Sequence, residues 1–364
     1  MKADRRTFVA GLAGLALARP ILAAPPRPRA VTVRGPVDAS EIGITLVHEH
    51  VLVDFVGAAE VGRHRYDADE AFRVALPHLR ALKERGAITL VECTPAWLGR
   101  DPRLLARLSE ASGLHIVTNT GYYGAAQDKY LPAHAFEESA EQLAARWTAE
   151  WRHGIEGTGI RPGFIKTGVD PGPLSDIDRK LIVAAALCRG QTGLRIHCHT
   201  GDGRAAMDIL SVLEAQRVSA AAFVWVHAQN EKDRALHLRA ARAGAWIELD
   251  GVSENSRDAH VSAVMDLARA GQLARVLLSQ DAGWYHVGEP AGGSFRPYTY
   301  LFDGFLPALR RAGLRERDVR RLLVENPARL LGVAASRVDQ AARCRASQAQ
   351  ASACISALNS WGVS

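Results

Sequence analysis

The sequence predicts an α/β protein built as a single (β/α)8 TIM barrel, and three observations carry that expectation. Short apolar, β-branched runs recur along the chain; segments of helical periodicity separate them; and 364 residues are enough to bury a large core. The strand runs are Ile44–Val53, Ala87–Cys93, His115–Thr120, Gly163–Thr167, Leu194–His199, Phe223–His227, Ala245–Asp250 and Arg275–Gln280. Helical patterns between them include Asp69–Arg85, Ala133–Gly154, Asp176–Arg189, Arg204–Ala215, Glu231–Ala243 and His260–Ala270. Strict alternation means parallel strands with right-handed crossovers, and repeats filling about 290 residues suit a closed barrel better than an open sheet. A dinucleotide fold is disfavoured, because Gly201-Asp202-Gly203 follows the fifth run and lacks the third glycine of the phosphate-binding turn.

The barrel domain is expected to span residues 25–334, with a distinct segment at each end. Residues 1–24 read as an export signal: Arg5-Arg6 precede Thr7-Phe8, an apolar stretch runs to Ala18, and Ile21-Leu22-Ala23-Ala24 leads into prolines. The paired arginines point to the twin-arginine route, hence to a periplasmic or secreted protein. The apolar stretch is far below the roughly 20 residues a span requires, so no stable membrane anchor is expected. Residues 335–364 form an extension rich in Ala, Ser and Gln, in which Cys344 and Cys354 could pair.

Composition narrows the function. With 48% hydrophobic, 23% charged and 6% aromatic residues the chain is an ordinary globular protein, which excludes disorder, collagen and a disulfide-stapled miniprotein. The net charge of +6 sets 45 basic against 39 acidic residues, and only six of the basic ones are lysine. No five basic residues run together and arginines interleave with Asp and Glu, so the charge reads as solvated surface and no nucleic-acid partner is expected. Cys93, Cys188 and Cys198 fall in core segments and read as buried thiols.

In a barrel, chemistry gathers where the strands end. The first run carries His48-Glu49-His50, the fourth ends at Lys166, the fifth at His199, the sixth at His227, and Asp281 follows the eighth. Alternation sends His48 and His50 to the axis and Glu49 away from it. His199, His227 and Asp281 converge on the same mouth, giving a nitrogen-rich donor set suited to zinc or another divalent first-row ion. An ammonium at Lys166 is out of place among imidazoles and a cation, but a neutral amine adds carbon dioxide. The resulting carbamate can bridge a pair of cations, so this lysine argues for two metals. Any one inward histidine is more often a packed core residue; four of the 13 histidines at one mouth, joined by Lys166 and Asp281, argue for a site. His197 lies one layer deeper and reads as packing, and Cys198 faces the helices.

These residues resemble the phosphotriesterase family of the amidohydrolase superfamily, which includes phosphotriesterase-like lactonases. The resemblance runs from Val31-Thr-Val-Arg-Gly-Pro36 and Thr45-Leu-Val-His-Glu-His50 to Glu325-Asn-Pro-Ala-Arg329. It passes through Thr120-Gly-Tyr-Tyr123, Gly163-Phe-Ile-Lys-Thr167, Cys198-His-Thr200 and Leu278-Ser-Gln-Asp281. It implies His48, His50 and Asp281 on a buried ion, His199 and His227 on an exposed one, and N6-carboxylated Lys166 between them. It also implies a hydroxide bridged by two divalent metals that attacks a small-molecule ester: a lactone, a carboxylic ester or a phosphoester. Asp281 is the expected proton acceptor. Tyr122 and Tyr123 match a position that lactone-hydrolysing members place beside the metals. Trp284, Tyr285 and Phe295 fall in a Gly- and aromatic-rich segment up to Tyr300 that reads as a substrate-facing lid.

Two departures bear on substrate. Organophosphate-tuned members carry a histidine after the strand-seven aspartate and an aspartate after the strand-six ligand, where this chain has Gly251 and Asn230. The arginine that lactonases often place at the glycine position is also absent. The residues leave open two rival readings, a non-catalytic periplasmic ligand-binding barrel and a mononuclear deaminase, though Lys166 disfavours the second. A homodimer is compatible with the sequence, which does not itself set the oligomeric state.

Overall fold

The computed structural model describes residues 27–335, 337 and 338. The expected export signal and nearly all of the expected C-terminal extension, with Cys344 and Cys354, lie outside these residues. A barrel strand begins in each of the eight runs: Thr45–Val53, Thr89–Glu92, His115–Val117 continued by Asn119–Thr120, Phe164–Val169, Ile196–Thr200, Phe223–Val226, Trp246–Leu249 and Val276–Leu278, the fourth and fifth running past the expected ends. All neighbouring pairs are parallel. Strand three joins two ladders, since its first piece pairs with strand two and its second with strand four. Between strands eight and one the ring closes through Asp281 N–H to His48 O at 3.1 Å and His50 N–H to Ala282 O at 2.9 Å. A short strand, Gly283–His286, then runs parallel to the end of strand one. The protein is a TIM barrel.

Inward side chains fill the lower barrel in layers, as packing in this fold requires. Val47, Val224, Val226, Trp246 and Leu277 form one cluster, while Val91, Cys93, Val117 and Phe164 form another. A register shift in strand one between Leu46 and Glu49 lets Val47 join this core while His48 and His50, above it, face the axis. A hairpin of Arg29–Thr32 and Gly35–Asp38 lies at the opposite end from the mouth, where Arg29 bridges to Val333. Among the described residues no helix is long and apolar enough to cross a membrane.

Two helix expectations are corrected, both by capping. The Ala133–Gly154 pattern is two helices, Ala133–Glu137 and Ala140–His153. Ser139 interrupts it with a capping box, taking the Gln142 N–H on its hydroxyl while Gln142 Oε1 takes the Ser139 N–H. The helix expected from Glu231 begins at Arg234, because Asp233 caps it through the Ala235 N–H and Glu231 instead accepts the Gly203 N–H. The Gly- and aromatic-rich segment is part of the rim and not a free lid. Gly283 bridges Arg296, and the Tyr298 hydroxyl donates to His50 O at 2.6 Å. A Cβ at Gly283, whose φ is +100°, would collide with that same carbonyl.

Candidate metal centre at the barrel mouth

His48, His50, Lys166, His199, His227 and Asp281 line one cavity of about 190 Å³, as the strand-end rule requires. The His48 and His50 rings lie 5.4 Å apart, His48 and His227 5.0 Å, and His199 and His227 4.5 Å. His227 and Asp281 terminate their strands in the left-handed region, at φ 59° and 51°. Non-glycine residues adopt it rarely, and here the turn aims both side chains into the mouth. Glu49, on the outer face of strand one, secures the Asp281 segment: it accepts from the Ser279 hydroxyl and from the N–H groups of Gln280 and Ala282 at 2.7–3.0 Å.

Behind each of three imidazoles stands an oxygen that fixes its tautomer. His227 Nδ1 lies 2.7 Å from Asp250 Oδ1, and the His227 N–H donates to Asp250 Oδ2. His48 Nδ1 lies 2.8 Å from Glu248 Oε1 and 3.2 Å from Asp250 Oδ2. His50 Nδ1 lies 2.7 Å from the Thr94 hydroxyl, itself 2.6 Å from Glu92 Oε1. Thr94 donates its one proton to Glu92 or, at 3.0 Å, to Leu52 O, which leaves its oxygen to accept the His50 proton. Each ring thus gives its Nδ1 proton backwards and turns an Nε2 lone pair to the cavity, the arrangement metal-binding histidines adopt. Asp281 Oδ1 is buried without a hydrogen-bond partner, 3.2 Å from His50 Nε2 and 3.8 Å from His48 Nε2.

Charge agrees with this geometry. Burial and the Lys166 charge push His48 down to about 3, burial likewise lowers His50, and burial with His227 nearby holds His199 far below the usual range. These rings are neutral, as ligands must be. His227 alone is raised, the Asp250 carboxylate overriding burial. Burial works against it, yet Asp281 is held below the ordinary carboxylate range by the adjacent His50 ring and the neighbouring imidazoles. Glu248 is pushed well up by burial and by Asp250, so one of the two strand-seven carboxyls is ionised and the other neutral. The Lys166 side chain, 2% exposed, makes no ion pair or hydrogen bond among the described residues.

Of the expected substrate contacts, Tyr123 and Trp284 line the cavity, with the Tyr123 ring 5.1 Å from His199 and the Trp284 ring 4.9 Å from His50. Tyr122 does not. Its hydroxyl is hydrogen-bonded to His134 and it faces a neighbouring cavity with Trp97 and Arg100. Gly121 makes the difference, because the chain turns there at φ +116° directly against the Lys166 carbonyl, where no Cβ fits. Phe295 stacks on His78 at 4.3 Å and Tyr285 is buried against Gly292, so neither reaches the cleft. His197 is fully buried beside Phe164, consistent with packing. Sequence reasoning missed Asp250, Glu248, Thr94 and Glu92 as supports, and Phe55 and Tyr130 as walls. The Glu248-x-Asp250 spacing repeats that of His48-x-His50 and was a usable signal.

Comparison with known proteins agrees. The model of the Phosphotriesterase family matches residues 28–331. The phosphotriesterase homology protein of Escherichia coli (strain K12) is 29% identical over 289 residues, covering 78% of this chain and 96% of its own. The organophosphorus hydrolase from Deinococcus radiodurans superposes with a TM-score of 0.76 at 31% identity, over 84% of this chain and 97% of that one. A mutant of a PTE-like lactonase from the same organism gives 0.75 at 32% identity, over 83% and 100%. The chain belongs to the phosphotriesterase family of hydrolases.

Proposed function

We propose that the cleft hydrolyses a small-molecule ester, a lactone, carboxylic ester or phosphoester, with two divalent ions, zinc being the best match to the donors. The observation that carries this is the approach of the His48 and His50 Nε2 atoms to an Asp281 oxygen that has no hydrogen-bond partner among the described residues. Facing lone pairs in a buried cleft repel unless a cation lies between them. His48, His50 and Asp281 would hold the buried ion and His199 and His227 the exposed one, with Lys166, once carboxylated, available to both. Such a pair supplies Lewis acidity and acidifies the attacking water.

The remaining work falls to the chain. The Asp281 carboxylate accepts the proton of the attacking water, since Oδ1 has no hydrogen-bond donor among the described residues. Glu49 keeps that carboxylate in place. Tyr123, Trp284, Phe55 and Tyr130 form apolar walls that orient the substrate and exclude water. Because Gly251 and Asn230 replace the relay of organophosphate-tuned members, we place lactones and activated esters ahead of phosphotriesters. The solved structures named as an organophosphorus hydrolase and a lactonase bracket this choice. The Arg5-Arg6 leader supports action outside the cytoplasm.

Lactones, aryl esters and phosphotriesters assayed side by side on metal-replete, chelated and zinc-restored protein test this reading. Hydrolysis that disappears on chelation and returns with zinc supports it. Absence of hydrolysis in replete protein, or indifference to chelation, contradicts it.

A further inference from the structure

Gln229 occupies the room that Gly251 leaves. A Cβ at position 251 would lie 2.8 Å from Gln229 Nε2, so the amide can sit there only because residue 251 has no side chain. From that seat Nε2 donates to Asp250 Oδ1 at 2.7 Å, and Gln229 Oε1 accepts the Asp250 N–H at 3.2 Å. Asp250 Oδ1 also takes His227 Nδ1–H at 2.7 Å, while Oδ2 takes the His227 N–H at 2.9 Å and stands 3.2 Å from His48 Nδ1. Three donors thereby reach the carboxylate, two of them on Oδ1, and its remaining acceptor position faces His48 Nδ1, whose nearer partner is Glu248 Oε1. The half-buried Gln229 shares Oδ1 with the His227 ring.

We propose that Gln229 is a positioning residue: seated against Gly251, it fixes Asp250 and, through it, the Nε2 directions of His227 and His48. This rests on the metal-centre reading above. Two consequences follow. With both acceptor positions of Oδ1 taken by Gln229 and His227, Asp250 serves orientation and offers no place on that oxygen for a further donor from position 251. And restoring a side chain at 251 cannot by itself rebuild a relay, because that side chain must first expel Gln229.

The test is a double-mutant cycle of wild type, Gln229→Ala, Gly251→Ala and the double variant, with zinc affinity read by chelator competition. Gln229→Ala is expected to weaken the more loosely held ion about 10-fold, as outer-shell losses do. Gly251→Ala should weaken it similarly by displacing the amide, and the double variant no further. Gln229→Met, equal in bulk but without hydrogen bonds, should match Gln229→Ala. Additive losses, or wild-type affinity in Gln229→Met, would overturn the proposal. If the wild type binds no ion, the metal reading fails separately, and the metal-free proteins decide the clamp. The downfield His227 Nδ1–H proton resonance should be sharp in wild type and broadened in Gln229→Met and Gly251→Ala; unchanged spectra refute the clamp.

Discussion

Asp281 Oδ1 lies 3.2 Å from His50 Nε2, although strand eight delivers one and strand one the other. The two atoms are brought together by Glu49, which accepts from the Ser279 hydroxyl and from the backbone N–H groups on either side of Asp281. With the His50 proton committed to Thr94, the pair is two acceptors held face to face. A structure that fixes such an arrangement with buried hydrogen bonds on both sides is prepared for a cation.

Thr94→Val should expose how much of this preparation is needed. It removes the acceptor behind His50, leaving the Nδ1 donor without a partner in a buried setting, and takes from Glu92 one of its hydrogen bonds. A loss of about 1–3 kcal/mol in metal-free stability and about 10-fold in affinity for the buried ion is expected. Denaturant unfolding and chelator competition measure the two effects separately.

Asp250→Asn keeps shape but removes the anion shared by His227 and His48. It should lower zinc affinity by about 10–100-fold, with kcat/KM falling and partly recovering when excess zinc is added. Recovery in full at low zinc would show that the carboxylate contributes nothing to holding the ions.

Trp284→Ala should raise KM for aryl and long-chain esters more than it lowers kcat, because the ring walls the cleft beside His50 and Phe55 and bears no reacting atom. Tyr122→Phe, which alters a hydrogen bond to His134 outside the cleft, should leave KM unchanged. Steady-state kinetics on one lactone series checks both.

Asp178 offers a pH test remote from the metal centre. Burial raises it from 3.8 to about 6, so the folded protein holds this proton more tightly than the unfolded chain. The stability this brings is complete below pH 4, fades as pH rises, and is gone above about pH 6. Asp178→Asn should therefore raise the Tm at pH 8, with the gain shrinking steadily towards pH 4. A gain independent of pH contradicts the assignment.

The site was legible in the sequence wherever position along a strand decides direction. His48, His50, Lys166, His199, His227 and Asp281 follow from strand ends and alternation, and the structure brings all six to one cavity. Legibility stopped where the backbone leaves its regular period. At Gly121 the chain turns against strand four, so adjacent tyrosines part company and only Tyr123 reaches the cleft. Thr94 escaped notice because it lies beyond the last paired residue of strand two, and its role depends on a hydrogen bond to a distant strand. Gln229 was hidden differently, since its place depends on a side chain missing 22 residues later, at Gly251.

Elemental analysis of the purified protein beside Lys166→Ala and His50→Ala is the most direct test of the metal centre. The account predicts about two divalent ions per chain in the wild type, substantially fewer in both variants, and ester hydrolysis reduced at least about 100-fold, beyond what outer-shell changes cost. A wild type free of bound metal, or a Lys166→Ala protein with full occupancy and full activity, contradicts it.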